Sequence, residues 1–265
     1  MPNSYRDELY PVCGRLEEIA LQIIGQCDLK VTEYGMVHPD ILALTLLSRT
    51  LSNFRALIVL TKNQLVVEAR VLARCCFENL FMVGRLQADG VAFAQRMIED
   101  DRAGRKGRIR FSFETETIFE SISPEMQEAV KESHEKFKAA PKVGFLKPKD
   151  ASDAGPFKET YVAYSQFSGD AAHPTITALA RHWAPGPSGE TGYFDVQPKA
   201  KEEELDETLH LGCIALLSMM VAVNEMMGYT EAGKKLPEIN RELKELQAKK
   251  WGSETISEGI DIRIA

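Results

Sequence analysis

Four charged residues share one face of a helix that is otherwise apolar. Arg70, Arg74, Glu78 and Arg85 fall within about 80° of arc when each helical residue advances about 100°. Arg74 and Glu78 are four residues apart and can form an ion pair. Their apolar neighbours predict partial burial, and a buried charge without a partner costs several kcal/mol. The face therefore indicates either a structural polar network or a ligand site.

The following helix carries a second group of charges. We expect Asp100 to face inward beside Gly104, with Asp101 at the border, so that Asp100 pairs with Arg74 or with a bound ion. Five cations then occur close together, at Arg102, Arg105, Lys106, Arg108 and Arg110. Such a run can hold a phosphate group, or it can form an ordinary solvated surface.

A third candidate segment contains Tyr164, Ser168 and His173. We expect His173 to lie just before the start of a helix, where free backbone N–H groups and the positive helix end favour a neutral imidazole. A neutral histidine can act as a general base or bind a substrate, but it can also simply cap the helix. Both interpretations stay open.

Composition indicates an ordinary globular chain. Its 265 residues are 44% hydrophobic and 27% charged, which excludes a disordered or collagen-like protein. Its net charge of −7 argues against broad, unspecific attraction to nucleic acid or anionic lipid.

The cysteines and the apolar segments indicate where in the cell the protein is located. The five cysteines contain no Cys-x-x-Cys spacing and are interpreted as reduced thiols. The polar, partly acidic first eight residues lack the pattern of a secretion signal. The longest apolar stretch, residues 211–223, is shorter than the roughly 20 residues that span a bilayer. We therefore expect a cytoplasmic protein without a membrane segment.

The spacing of apolar residues predicts an all-α fold. They recur every three or four residues, and no run of alternating apolar and polar residues indicates a strand. We expect one helical bundle over residues 1–265, with a core at about 39–228 and a C-terminal helix and tail at 229–265. Two long loops are predicted at 140–156 and 184–200. The main helices are predicted at about 12–27, 39–61, 64–89, 91–109, 157–168, 201–227 and 237–251.

Common cofactor and hydrolase motifs do not occur in the sequence. The phosphate-binding, dinucleotide-binding, nucleophile-elbow and zinc-protease patterns are missing, so we expect no cofactor. Glu207 and His210 form one Glu-x-x-His pair, whereas di-iron bundles use two such pairs with two further glutamates. We therefore expect no metal site.

The three polar segments together resemble a known family. The first pattern is a helix with Arg-x-x-x-Glu, which Arg74 and Glu78 match. The second is a helix with acidic and basic residues, matched by Asp101 and Lys106. The third is a serine followed by His-Pro, matched by Ser168 and His173-Pro174. Over about residues 45–185, this order and spacing resemble a bacterial family described as domain of unknown function 5677. The resemblance implies a helical fold and no established chemistry.

Bundles of this kind also resemble the HEPN superfamily, whose active members are metal-independent ribonucleases of toxin and antiphage systems. Their chemistry requires an arginine, then four to six residues, then a histidine. None of the five histidines has an arginine at that distance. A ribonuclease would have to combine Arg74 with His173 from a different segment.

The leading hypothesis is a binding or regulatory protein with a semi-buried polar cluster. The cluster is predicted to combine Arg74, Glu78, Asp101, Lys106, Ser168 and His173, with Arg74 and Lys106 holding an anionic ligand or RNA. Further predicted ligand-binding residues are Arg70, Asp100 and Tyr164. A defence or stress setting is implied by the resemblance alone.

Two alternatives are left open. The first is a metal-independent ribonuclease or toxin with His173, Arg74 and Glu78 as catalytic residues, where His173 is the base and Arg74 stabilises charge on the phosphorus. The second is a structural homodimer or larger oligomer, in which the methionine-rich helix around Met219, Met220, Met226 and Met227 buries against another copy.

Overall fold

A computed structural model describes residues 4–29, 32–138, 144–186 and 192–252. The α-helices are α1 (Tyr5–Gln26), α2 (Pro39–Lys62), α3 (Val66–Asp89), α4 (Val91–Glu114), α5 (Glu116–Ser121), α6 (Pro124–Lys138), α7 (Pro148–Asp153), α8 (Tyr161–Phe167), α9 (Ile176–Leu179), α10 (Glu202–Met226) and α11 (Leu236–Trp251). Two strands, β1 (Trp183–Pro185) and β2 (Gly192–Phe194), pair antiparallel. The predicted all-α fold is confirmed, because 81% of the structure is helical.

The hydrophobic core is centred on α10, α2 and α3. α10 is apolar on nearly every side and is buried along most of its length, as expected for a central helix. Met219 and Met220 are completely buried inside this core. These two methionines therefore cannot form the oligomer surface that the sequence predicted.

Two helices have the length and composition of a membrane span. They are α2 and α10, whose apolar windows are 44% and 83% buried inside the protein. Most residues of the apolar window of α10 are thus buried in the protein core.

The helix ends explain several boundaries. α1 begins seven residues before its predicted start because Ser4 and Asp7 form a capping box, and Pro11 lies inside the helix. Gly90 ends α3 with a φ of 54°, at the predicted end of this helix, and the chain turns there into α4.

The middle of the chain forms an outer helical unit, α4 to α6. Within its described residues, only Phe93 and Ala94 at the start of α4 are buried. The rest of α4 extends away from the core and packs on α5 and α6.

The two predicted loops contain secondary structure. α7 lies in the first, with Ala151 and Ser152 buried, and the β1–β2 hairpin lies in the second. Three-residue strands are too short to give an alternation in the sequence. Residues 140–143 of the first predicted loop, residues 187–191 of the second and the predicted tail from 253 lie outside the described residues.

Candidate functional site

The charged face of α3 is covered by α8 and the segment that follows it. Phe81 of α3 contacts the ring of Tyr164 edge to face, with the centroids 5.7 Å apart. Gly84 allows the close approach at one end, since a Cβ there would lie 2.9 Å from the Phe157 ring. The α-helix predicted at 157–168 is shorter than expected, and residues 168–172 form a π-helical segment.

Arg74, Glu78 and Tyr164 lie together at the edge of this contact. Arg74 donates a hydrogen bond through Nη2 to the Glu78 carboxylate at 2.7 Å. The guanidinium carbon lies 5.8 Å from the centroid of the Tyr164 ring. About a quarter of each charged side chain is exposed, 26% for Arg74 and 28% for Glu78. These three predicted site residues therefore form one semi-exposed group, which we call the Arg74 site.

The protonation states of the Arg74 site follow from its burial and contacts. Burial alone would lower the pKa of Arg74, but the Tyr164 hydroxyl and the Glu78 carboxylate outweigh it and raise that pKa. Burial raises the pKa of Tyr164, and the opposing effect of Arg74 is smaller. Arg74 is therefore a cation and Tyr164 a neutral phenol near neutral pH, so both are hydrogen-bond donors.

Arg70, one turn earlier on α3, lies in a different environment. Its side chain is 5% exposed and makes an ion pair with Asp170 of the π-helical segment. Two glutamates of α10 also approach it, Glu204 at 3.5 Å and Glu207 at 3.4 Å. Arg181 joins the group, with Nη2 2.8 Å from Asp170 and 2.6 Å from Glu204. We call these five residues the Arg70 cluster.

The charge of the Arg70 cluster argues against anion binding at Arg70. Two guanidinium groups face three carboxylates, so the cluster has one excess negative charge. Arg70 also donates from Nε to the Thr208 hydroxyl at 3.2 Å. An incoming anion would have to displace carboxylates that are already paired with this arginine.

The sequence did not predict that the other four residues of the Arg70 cluster lie around Arg70. They are Asp170, Arg181, Glu204 and Glu207. The spacing of Glu204, Glu207 and Thr208 on an apolar helix was a usable signal, since they share one face of α10. Asp170 gave no such signal, because a π-helical segment sets its position.

Ser168 and His173 lie at the two ends of the π-helical segment. Ser168 is its first residue and is partly buried, whereas His173 follows its last residue and is exposed. Thr175, and not His173, caps α9: its hydroxyl accepts a hydrogen bond from the Ala178 N–H at 3.1 Å. The predicted capping position of His173 was therefore wrong. In the described ranges, no hydrogen bond or ion pair joins its ring to the Arg74 site.

The α4 residues do not join the Arg74 site. Asp100 accepts a hydrogen bond from the Leu146 N–H at 2.6 Å, so the predicted pairing with Arg74 does not occur. Asp101 pairs with Arg105 at 2.8 Å on the exposed side of α4. Lys106 lines a pocket of about 260 Å³ between α4 and α6, with Arg110, His134 and Phe137. The single predicted cluster is thus divided between two parts of the molecule, because α4 leaves the core after its first turn.

Glu207 and His210 are directed to different neighbours. Glu207 accepts hydrogen bonds from Gln166 at 3.2 Å and faces Arg70. His210 is buried between Tyr5 and Gln247, at 2.8 and 3.3 Å. Among the described residues, no three or more His, Cys, Asp or Glu side chains are placed together so that they could hold a metal ion.

Comparison with known proteins gives one relationship. A family model described as "Family of unknown function (DUF5677)" matches residues 40–190, which is more than half of the chain. The chain belongs to this family. The DUF5677 match includes the Arg74 site and the π-helical segment, but it ends before α10 and its glutamates. No curated protein and no solved structure matches the chain. The family predicted from the sequence is thus confirmed, and its description assigns no chemistry.

Proposed function

We propose that this protein binds an anionic group, such as a phosphate of a small molecule, at Arg74. The observation that carries this proposal is the contrast between the two arginines of α3. Arg74 is partly exposed and has one carboxylate partner, whereas Arg70 is buried among three. A guanidinium has five N–H donors, and charge-assisted bonds to phosphate are among the strongest in proteins.

The surroundings of Arg74 support binding in a fixed geometry. Glu78 orients the guanidinium from within the same helix, and Tyr164 approaches it from α8. Nε of Arg74 is buried and finds no acceptor among the described residues. An unsatisfied buried donor costs about 1–3 kcal/mol, which an oxygen of a ligand or a water would recover.

A binding role is favoured over catalysis by the position of the histidine. A metal-independent ribonuclease would need His173 as the base beside Arg74, and its exposed ring has no bond to that group in the part of the chain described. Cleavage of RNA is therefore the result that would replace our proposal with the enzymatic alternative.

The cellular location and the biological role of the protein are part of the same proposal. All five cysteines lie in the described ranges as free thiols, including Cys13 and Cys213, whose sulfur atoms are 3.5 Å apart. We propose a cytoplasmic location, because disulfides are rare in the cytoplasm and these cysteines form none in the described residues. A defence or stress role rests on the sequence resemblance alone.

The test is a calorimetric titration with inorganic pyrophosphate and, separately, with a short single-stranded RNA. We expect pyrophosphate to bind the wild type and the Arg74→Ala variant to bind it about 10-fold to 100-fold more weakly, as expected for the loss of charge-assisted hydrogen bonds. Arg55→Ala is the matched control, because Arg55 also has one carboxylate partner, Glu17 at 2.9 Å, but lies on α2.

Each outcome decides between the candidates. Equal affinities of wild type and Arg74→Ala for pyrophosphate, or no binding at all, would refute the Arg74 site. Incubation of the RNA with and without divalent metal tests the alternative. RNA that is cleaved by the wild type but not by His173→Ala would establish the ribonuclease.

A further inference from the structure

The outer unit α4 to α6 contains a pocket that plays no part in anion binding at Arg74. The pocket has a volume of about 260 Å³ and lies where the second half of α4 packs on α6. α4 contributes Lys106, Ile109, Arg110 and Glu114, and α6 contributes His134, Phe137 and Lys138. The pocket therefore combines apolar side chains with several charged ones.

The charge of the pocket is positive although the chain as a whole is acidic. Three of the described side chains that line the pocket are cations, namely Lys106, Arg110 and Lys138, and one is a carboxylate, Glu114. The whole chain has a net charge of −7. Cations that line a concave surface concentrate a positive potential there. The pocket is thus a place on this acidic protein that attracts an anion.

The carboxylates of α6 are directed away from the pocket. The glutamates of this helix are all exposed and fall within about 80° of arc when each residue advances about 100°. They are Glu125, Glu128, Glu132 and Glu135. His134 and Phe137 are partly buried and lie on the opposite side of α6, where the helix packs on α4. The face of α6 that meets the pocket therefore lacks these negative charges.

Two ion pairs at the edge of the pocket are long and exposed. Nε of Arg110 lies 3.7 Å from the Glu114 carboxylate, and these side chains are 66% and 62% exposed. Nζ of Lys138 lies 3.8 Å from the Glu135 carboxylate, with 71% and 69% exposure. Exposed pairs of this kind contribute little to stability. An anion can therefore bind these cations without disrupting a strong contact, in contrast to the Arg70 cluster.

Ring contacts hold the apolar part of the pocket in place. The His134 ring stacks on Phe113 of α4, with the centroids 4.3 Å apart and the planes at 23°. Phe113 in turn meets Phe119 of α5 edge to face, with a centroid distance of 5.6 Å. Ile109 and Phe137 line the same pocket. The three helices thus present apolar side chains to a ligand, as small-molecule sites usually do.

The volume and the lining together restrict the class of ligand. Sites for drug-sized molecules typically have about 300–1,000 Å³. A pocket of about 260 Å³ fits a somewhat smaller molecule. An anion without an apolar part would make no use of Ile109 and Phe137, and an uncharged apolar molecule would make no use of the cations. A ligand that contacts both kinds of side chain is a small amphipathic anion.

We propose that the pocket between α4 and α6 binds a small amphipathic anion, an acidic group on an apolar chain or ring. The acidic group contacts Lys106 and Arg110, and the apolar part packs against Ile109 and Phe137. This gives a binding role to two of the five cations that occur close together in α4. The site is separate from the Arg74 site and independent of anion binding there.

The test is a calorimetric titration of the full-length protein with octanoate and, separately, with octyl phosphate. Acetate, which lacks the chain, and 1-octanol, which lacks the charge, are titrated in the same way. We expect at least one of the two amphipathic anions to bind about 10-fold or more tightly than both acetate and 1-octanol, because only these anions use both parts of the pocket.

A double variant, Lys106→Gln with Arg110→Gln, locates the binding site. Glutamine removes the charge and is a good helix former, so α4 should persist. We expect this variant to bind the amphipathic anion at least about 10-fold more weakly. Its affinity for pyrophosphate should equal that of the wild type, because Arg74 is unchanged.

Arg105→Gln with Arg108→Gln is the matched control. It removes the same charge from the same helix, but neither residue lines the pocket. The control should bind the amphipathic anion like the wild type, and circular dichroism should show the same helical content for all variants. The proposal is overturned if neither amphipathic anion binds, or if acetate or 1-octanol binds as tightly. It is equally overturned if both double variants lose the same affinity, or if the pocket variant also loses pyrophosphate binding.

Discussion

The hydroxyl of Tyr5 lies 2.8 Å from Nδ1 of His210, so a buried histidine connects the first helix to the central one. On the other side of the ring, Nε2 faces the side-chain oxygen of Gln247 on α11 at 3.3 Å. Nε2 therefore carries the proton, and Nδ1 accepts a hydrogen bond from Tyr5. Three helices that are distant in sequence meet at this neutral imidazole.

This arrangement predicts a loss of stability in mild acid. Burial lowers the pKa of His210 from 6.5 to about 4. Between these two values the unfolded chain binds a proton that the folded protein does not, so the free energy of unfolding falls as the pH decreases. The full effect corresponds to about 3 kcal/mol at 1.36 kcal/mol for each pKa unit.

Urea unfolding of the wild type and of His210→Gln, near pH 7 and near pH 4.5, measures this effect. The variant lacks the titrating group, so its free energy of unfolding should fall less between the two pH values. An identical fall in both proteins would show that other groups, such as carboxylates, cause the acid sensitivity.

The Arg70 cluster predicts a large cost for removing its central cation. Arg70→Met retains an apolar stem beside Phe167, whose ring centroid is 5.7 Å from the guanidinium, but leaves three carboxylates with Arg181 alone. Breaking a buried ion pair in this way typically costs about 3–5 kcal/mol. Chemical denaturation should detect this loss directly.

Arg105→Ala is the control for this prediction. Arg105 has one carboxylate partner, Asp101, and its side chain is 63% exposed. Its loss should change the free energy of unfolding by less than about 1 kcal/mol. Comparable values for the two variants would mean that the Arg70 cluster is more hydrated than its burial indicates.

The close contact at Gly84 predicts that Gly84→Ala lowers the stability of the protein, whereas Gly107→Ala raises it. At Gly84 the new methyl group would lie 2.9 Å from Phe157 and 3.0 Å from Pro156, and it would push this segment, which precedes α8, away from α3. Overpacking of this kind costs about 1–3 kcal/mol, which exceeds the helix-propensity gain of up to about 1 kcal/mol. Gly84→Ala should therefore lower the melting temperature.

Gly107 on α4 provides the matched comparison, since a Cβ built there would have no side chain and no other element within 4 Å apart from its chain neighbours. Gly107→Ala should raise the stability of its helix by about 0.5–1 kcal/mol. Two thermal unfolding curves suffice to compare the signs, and stabilisation by both changes would contradict the tight contact at Gly84.

Local patterns account for what the sequence predicted of this protein. Helix periodicity indicated the charged face of α3, and the four-residue spacing of Arg74 and Glu78 led directly to their ion pair. The short strands and the pairing of Asp100 with the Leu146 backbone were not predictable in the same way. They depend on how α4 leaves the core and on segments too short to show a period.

The π-helical segment gives the chain a constraint on length as well as on residue type. Asp170 reaches Arg70 because the residues from Ser168 to Ala172 wind more widely than an α-helix. Each residue turns an α-helix by about 100° and a wider helix by somewhat less, so deleting one residue between Phe167 and Asp170 would rotate the carboxylate by roughly a quarter turn from the guanidinium. A single-residue deletion here would therefore be more harmful than the replacement of any one small residue in the same segment.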